Sequence, residues 1–211
     1  MLTHPCFDLS ALAGESAHVL DYDFANDGSG PALTSDFTGS GSGGLVGFTD
    51  DYGPALKITM GANPGAATFS GPVFSPSKVK AVIIDVEGFS CTGASPLWGL
   101  GLYNAAMTGY VELFRDNTGV ALTSQISSSA NRTIWKAAKG DHYPLKNARM
   151  GLMVDFTTGK STGHMGYSMM QATANQPAAV GDLTLKLRSL TTASYQNFTT
   201  YWRHLTVTVI R

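Results

Sequence analysis

Tyr201-Trp-Arg-His-Leu-Thr-Val-Thr-Val-Ile-Arg211 is the stretch whose reading decides the fold. Taken alternately, Tyr201, Arg203, Leu205, Val207 and Val209 form one set, and Trp202, His204, Thr206, Thr208 and Ile210 form the other. A period of two is the mark of a half-buried β-strand, because successive side chains leave the pleat on opposite sides. The same residues make poor helix, since β-branched chains lose rotamer freedom against the preceding turn and pack well on a pleated surface. Trp202 to Ile210 is therefore predicted as a strand.

Outward from this segment, runs of the same kind recur every ten to twenty residues or so, each bounded by Gly, Pro, Asn or Asp. Strands are predicted at Val19 to Phe24, Ala55 to Met60, Ala67 to Ser70, Lys78 to Gly88, Trp98 to Tyr103 and Tyr110 to Asp116. Others follow at Gly119 to Ser124, Arg132 to Lys136, Arg149 to Thr157, Gly163 to Met170 and Leu183 to Leu187. Two hairpins stand out, one turning at Asp116-Asn-Thr-Gly119 and one at Thr157-Thr-Gly-Lys160. Gly39-Ser-Gly-Ser-Gly-Gly44 reads as a flexible loop inside one domain. Residues 1–18 form a lead in which Leu9, Leu12 and Ala13 suit one face of a short helix opened by Asp8 or Ser10. No helical pattern of any length competes with these strands. The reading is an all-β, two-sheet antiparallel sandwich over residues 19–211, preceded by that lead.

Composition narrows the function classes. Charged residues are 14% of the 211, against about 25% in an average domain, while hydrophobic residues are 43%. Few charges among many Gly, Ser and Thr fits a β-rich extracellular or virion protein. The formal net charge of −1 leaves no cationic surplus for phosphate backbones, so nucleic acid is not an expected partner. No apolar run approaches the ~18 residues of a membrane span, and the N-terminus lacks the basic region of a signal peptide. Cys6 and Cys91 are too few for a thiolate metal site, and two separate thiols are expected rather than a disulfide framework.

The order of elements resembles the concanavalin A-like, laminin G-like jelly-roll sandwich. The resemblance is carried by Leu20-Asp-Tyr-Asp-Phe with the following Asn-Asp-Gly, by Gly53-Pro-Ala-Leu-Lys-Ile, by Val79-Lys-Ala-Val-Ile-Ile-Asp-Val-Glu, by Tyr110 to Leu122, by Arg149-Met-Gly-Leu-Met-Val-Asp-Phe, and by Arg203-His-Leu-Thr-Val-Thr-Val. It spans most of the chain from about residue 19. Such domains serve as sugar-binding modules and as non-catalytic surface domains of phage particles, so the resemblance implies one of these roles.

Asp85 and Glu87 are the best acid pair, two apart on a strand and about 7 Å apart, a separation glycosidases use. Glycoside hydrolases of the resembled class add a further Glu two residues earlier, where this chain has Ile83, so catalysis is not expected. Asp21, Asp23 and Asp27, with Asn26, gather oxygen ligands that Ca²⁺ could use, as related sandwiches do at a rim. Gly159-Lys160-Ser161 lacks the leading Gly of a phosphate loop. The five histidines show no metal spacing, and nothing resembles a nucleophile elbow. Tyr143 and Tyr195 lie in loops and are the expected carbohydrate contacts, because an exposed ring stacks on a sugar.

The expectation is a non-catalytic virion protein, capsid-decorating or tail-associated, assembled in the host cytoplasm and attached to other virion proteins or to its own copies. The lead contributes apolar residues that the sandwich itself need not bury. The alternatives are a carbohydrate-binding module for host or glycan attachment, and a glycoside hydrolase.

Overall fold

The computed structural model describes residues 3–24, 36–41, 44–47, 55–93, 96–116, 119–125, 132–136, 148–166, 168–173, 181–194 and 196–211. These residues form two antiparallel sheets. The larger contains β1 (Ala17–Asp23), β3 (Gly44–Gly47), β4 (Leu56–Met60), β6 (Ala81–Thr92), β11 (Ala148–Asp155), β12 (Lys160–Met165), β13 (Ser168–Thr173), β15 (Phe198–Trp202) and β16 (His204–Ile210). Its order is β13-β12-β11-β6-β15-β4-β3, with β16 also on β6 and β1 outside β16. The smaller runs β10-β9-β8-β7-β14-β5-β2, made of β2 (Thr38–Gly41), β5 (Gly65–Phe74), β7 (Trp98–Tyr103), β8 (Tyr110–Asp116), β9 (Gly119–Gln125), β10 (Arg132–Lys136) and β14 (Leu183–Thr191). Among the described residues no helix is long and apolar enough to cross a membrane.

Alternation places the core between the sheets. From β16, Leu205, Val207 and Val209 point inward, and from β14, Leu183, Leu185 and Leu187 belong to the same buried cluster. Each such side chain contributes about 1.5–3 kcal/mol when fully buried. Phe89 lies 4.7 Å from Trp98 and 4.5 Å from Trp202, ring centre to ring centre, joining the sheets through a fully buried aromatic cluster. Inside that interior Ser189 and Thr200 share a hydrogen bond of 2.9 Å, and the Trp202 indole N–H donates to Thr200 Oγ1 at 3.2 Å. Buried polar atoms that pair in this way avoid the desolvation penalty of orphaned ones.

Three predicted strands, Trp98 to Tyr103, Tyr110 to Asp116 and Arg132 to Lys136, match β7, β8 and β10 residue for residue. Others are corrected. The terminal segment is two strands, because the chain breaks at Arg203, whose Nη1 donates to Gly88 O at 2.6 Å and to Ser90 Oγ at 3.2 Å. Gly88, with φ +74°, is a bulge at which β6 bends and continues to Thr92, four residues beyond the predicted end. The run Gly163 to Met170 divides into β12 and β13 at Gly166, φ +57°. Gly39-Ser-Gly41, read as loop, belongs to β2: a Cβ on Gly41 would stand 2.0 Å from Ala66 O, so the small residues permit the close approach to β5.

The lead also departs from expectation. Leu9 precedes a single 3₁₀ turn, Ser10–Leu12, and the Ser10 N–H donates to Asp8 Oδ1 at 2.9 Å. Phe7, Leu9 and Leu12 are buried with Ala81, Ile83, Met153 and Ile210 in a second core. The lead thus closes over the outer face of the nine-stranded sheet, and its apolar residues are consumed within the chain.

Candidate functional site

The outer face of the seven-stranded sheet carries polar and charged side chains in register. In β7, Trp98, Leu100 and Leu102 enter the core, so Gly99, Gly101 and Tyr103 face outward. Cross-strand pairing sets Lys186 beside Gly101, and Gly101 beside Glu112; Arg188 lies beside Gly99, and Gly99 beside Phe114. Ser70 and Thr68 of β5 flank Lys186 and Arg188. Two glycines in β7 therefore leave a trough without side chains of their own between Lys186 and Arg188 on one bank and Glu112 on the other, and the Tyr103 and Glu112 side chains settle into it. A Cβ on Gly101 would lie 2.2 Å from Val111 O, and one on Gly99 would lie 3.1 Å from Glu112 Oε2 and 3.2 Å from the Tyr103 hydroxyl.

The floor of the trough is an electrostatic cluster. The Tyr103 hydroxyl donates to Glu112 Oε2. Arg188 Nη1 lies 3.6 Å from the same oxygen, and the guanidinium carbon lies 5.1 Å from the centre of the Tyr103 ring, a cation–π arrangement. Tyr103 is fully buried and Glu112 is 4% exposed although both point away from the core. Burial first, then the Glu112 charge, pushes the Tyr103 phenol well above its ordinary range, so it stays a donor. For Arg188, burial opposes the charge, but Tyr103 and Glu112 outweigh it and hold the proton more firmly than usual. Lys186 is lowered by burial and then by Arg188. Lys186, Arg188, Tyr110 and Phe114 are half-buried, and the Tyr110 ring centre is 5.7 Å from that of Tyr103. The trough thus presents a fork of N–H donors, an ammonium and an aromatic ring over a fixed base. Such a surface suits a ligand rich in oxygen acceptors with an apolar ring face.

No protein-family model matches the chain, and no curated protein sequence does. Solved structures do. The lectin from Bauhinia forficata, in complex with GalNAc, matches at TM-score 0.59 and 11% identity over 91% of this chain and 98% of the lectin. Lectin I-B4 from Griffonia simplicifolia, in metal-free form, matches at 0.60 and 12%, over 89% and 98%. The CBM2 module of the evolved Dit of Lactobacillus casei BL23 phage J-1 matches at 0.59 and 10%, over 93% and 97%. The fold is that of the concanavalin A-like sandwiches.

Within this concanavalin A-like sandwich, the expected acid pair lies on the opposite face. Asp85 and Glu87 project from the outer side of β6. Glu87 pairs with Arg149, both more than half exposed, while Asp85 accepts from His4 Nε2 at 2.8 Å. The Cys6 N–H donates to His4 Nδ1 at 3.0 Å, which leaves the proton on Nε2 and aims it at the carboxylate. His164 Nε2 is 3.7 Å from Asp85 Oδ1. The Phe7 ring stacks on His4 at 4.6 Å and lies 5.4 Å from His164. Burial pushes the Asp85 carboxyl up, but the imidazoles of His164 and His4 more than offset it and hold it below the ordinary range. Ile83, standing where a hydrolase of this class has an acid, packs under the lead.

Asp21 and Asp23 share the outer face of β1, and Asp21 is engaged by His204; Asp27, the third expected calcium ligand, lies outside the described residues. Among the described residues no three His, Cys, Asp or Glu side chains gather as a cation site. Tyr143 and Tyr195 also lie outside the described residues. Lys160 stands at a hairpin tip whose turn is tied by Asp155: its Oδ1 accepts from the Thr157 and Thr158 N–H groups at 2.8 and 3.1 Å. Cys6 and Cys91 are separate thiols, the first half-buried and the second buried. The trough itself was missed, although Gly99-x-Gly101, Tyr110-x-Glu112 and Lys186-x-Arg188 each alternate with core residues and so share a face.

Proposed function

We propose that the chain is a non-catalytic carbohydrate-binding module that works on a phage particle and recognises its glycan on the outer face of the seven-stranded sheet. The observation that carries this is the trough over Gly99 and Gly101, where half-buried Arg188, Lys186 and Tyr110 surround the buried Tyr103–Glu112 base. Hydroxyl-rich rings need donors in fixed positions and an apolar surface, and both are present here. The lectin and phage-module neighbours support the binding role by their fold. The non-catalytic reading is supported by Glu112: it is committed to Tyr103 and Arg188 and is almost fully buried, whereas glycoside hydrolysis uses a pair of carboxyl groups open to the substrate. The virion setting rests on the phage module among the neighbours and on the charge-poor composition. Attachment to virion neighbours or to further copies, rim contacts from Tyr143 and Tyr195, and Ca²⁺ held by Asp21, Asp23 and Asp27 belong to the same reading.

The test is a glycan array probed with the wild-type chain, with Tyr110→Ala and Arg188→Met, and with Tyr143→Ala and Tyr195→Ala, each with Ca²⁺ and with chelator. Binding that falls about tenfold or more in the first two variants supports the trough, as a lost charged hydrogen bond or stacked ring predicts. An array without signal, or binding indifferent to Tyr110 and Arg188, contradicts it.

A further inference from the structure

We infer that the glycan is anionic, bearing carboxylate or phosphodiester groups that seat against Lys186 and Arg188. This rests on the trough being the glycan site and adds the class of ligand. Glu112 is the acid available to this cluster, and it is already committed: Tyr103 donates to it and Arg188 lies beside it. The base is thereby neutralised from below, and the second cation is left over. Lys186 follows Arg188 by register at the next outward position of β14, about 7 Å away along the strand, half-buried. Among the described residues it has no acidic or carbonyl partner.

Three other cations that are buried or partly buried have an acid or carbonyl partner. Lys80 pairs with Glu15 at 2.5 Å, Arg115 donates to Pro96 O at 2.9 Å, and Arg203 donates to Gly88 O. Burial and the neighbouring Arg188 charge both act against the Lys186 ammonium. Two adjacent cations on a half-buried face, with the nearby carboxylate engaged by Arg188, weaken the free protein. An anion delivered between them removes that penalty on binding, and a neutral sugar does not. A site for neutral sugar would be served equally by Gln or Asn at 186. The hydroxyls of Ser70 and Thr68, beside the two cations on β5, lie where further acceptors or donors are needed by the rest of the ring. The setting is local: the chain as a whole carries a net charge of −1, so general attraction of polyanions is not built in.

Matched ligand pairs test this on the full chain. Galacturonan and mannuronan oligosaccharides are titrated beside their methyl esters, and sugar-substituted glycerol- and ribitol-phosphate polymers beside the same sugars as neutral glycosides. The expected result is that at least one anionic member binds about tenfold or more tighter than its neutral partner. That preference should weaken with salt, vanish in Lys186→Gln and return in Lys186→Arg. Melting temperature of each variant confirms folding. The uronate and phosphate arms tell the two sources of anion apart. Equal binding of charged and neutral partners, with dependence on Tyr110 and Arg188 retained, overturns the inference and leaves the glycan module standing. Preference for anions that persists in Lys186→Gln also overturns it, by placing the anion elsewhere. Absence of binding across all pairs and the wider array overturns both.

Discussion

The two outer faces of the sandwich solve the same problem in opposite ways. Each must finish a sheet whose inner side is core, and each sets a carboxylate beside nitrogen groups: Asp85 with His4 and His164, Glu112 with Arg188. On the nine-stranded sheet the chain's own lead closes the face, with Phe7, Leu9 and Leu12 over Ile83, Met153 and Ile210. On the seven-stranded sheet two glycines make room for Tyr103 and Glu112 to lie over β7, and the cations beside them stay half-buried. The closed face therefore serves stability, and recognition is proposed for the other.

Substitutions should separate these roles. The largest effect is expected from Leu12→Ala, which removes a side chain 1% exposed from the closed face and should lower stability by about 3 kcal/mol in urea unfolding. Lys186→Gln, on the seven-stranded sheet, should move it by about 0.5 kcal/mol or less. A Leu12 variant as stable as wild type would mean that the lead is dispensable. Next comes Gly101→Ala, whose new methyl meets Val111 O and should cost about 2 kcal/mol, while Gly61→Ala, with open space around its Cβ, serves as the control. Similar melting of the two variants would show that the trough tolerates filling.

A pH series bears on the closed face alone. The folded pKa of Asp85 lies below its unfolded value, so its stabilisation is complete above the unfolded value and is lost as pH falls through the folded one. The stability gap between wild type and Asp85→Asn should accordingly shrink as pH drops from about 5 towards 2. A gap that stays constant over that range would deny the carboxylate its role beneath the lead. The smallest effect is expected from Glu87→Gln: its ion pair with Arg149 is exposed on both sides, and unfolding should shift by about 0.5 kcal/mol or less.

Much of this was readable in the chain. Alternation in Trp98 to Tyr103 and Tyr110 to Asp116 gave strands with correct ends, because both faces there obey the pleat. It failed at Arg203 and Gly88, where one residue's side chain and another's positive φ jointly break the pairing, a long-range event with no local period. The lead was misjudged for a related reason: its apolar residues look free for attachment until the outer-face residues they cover, Ile83 among them, are known. Lys186, Arg188, Tyr110 and Glu112 were each on a predicted strand or next to one, yet only the strand order β8-β7-β14 brings them together across the glycines. Residue chemistry pointed to loop tyrosines because exposure in a loop is legible from sequence and a hollow in a sheet is not.

The most direct measurement is an amide NMR titration of the intact chain with the best-binding oligosaccharide from the array. Perturbations concentrated at residues 99–103, 110–114 and 184–188, with residues 3–13 and 160–165 unmoved, are the predicted result. Perturbations confined to the lead and β12, with the trough silent, would contradict the division of labour between the two faces.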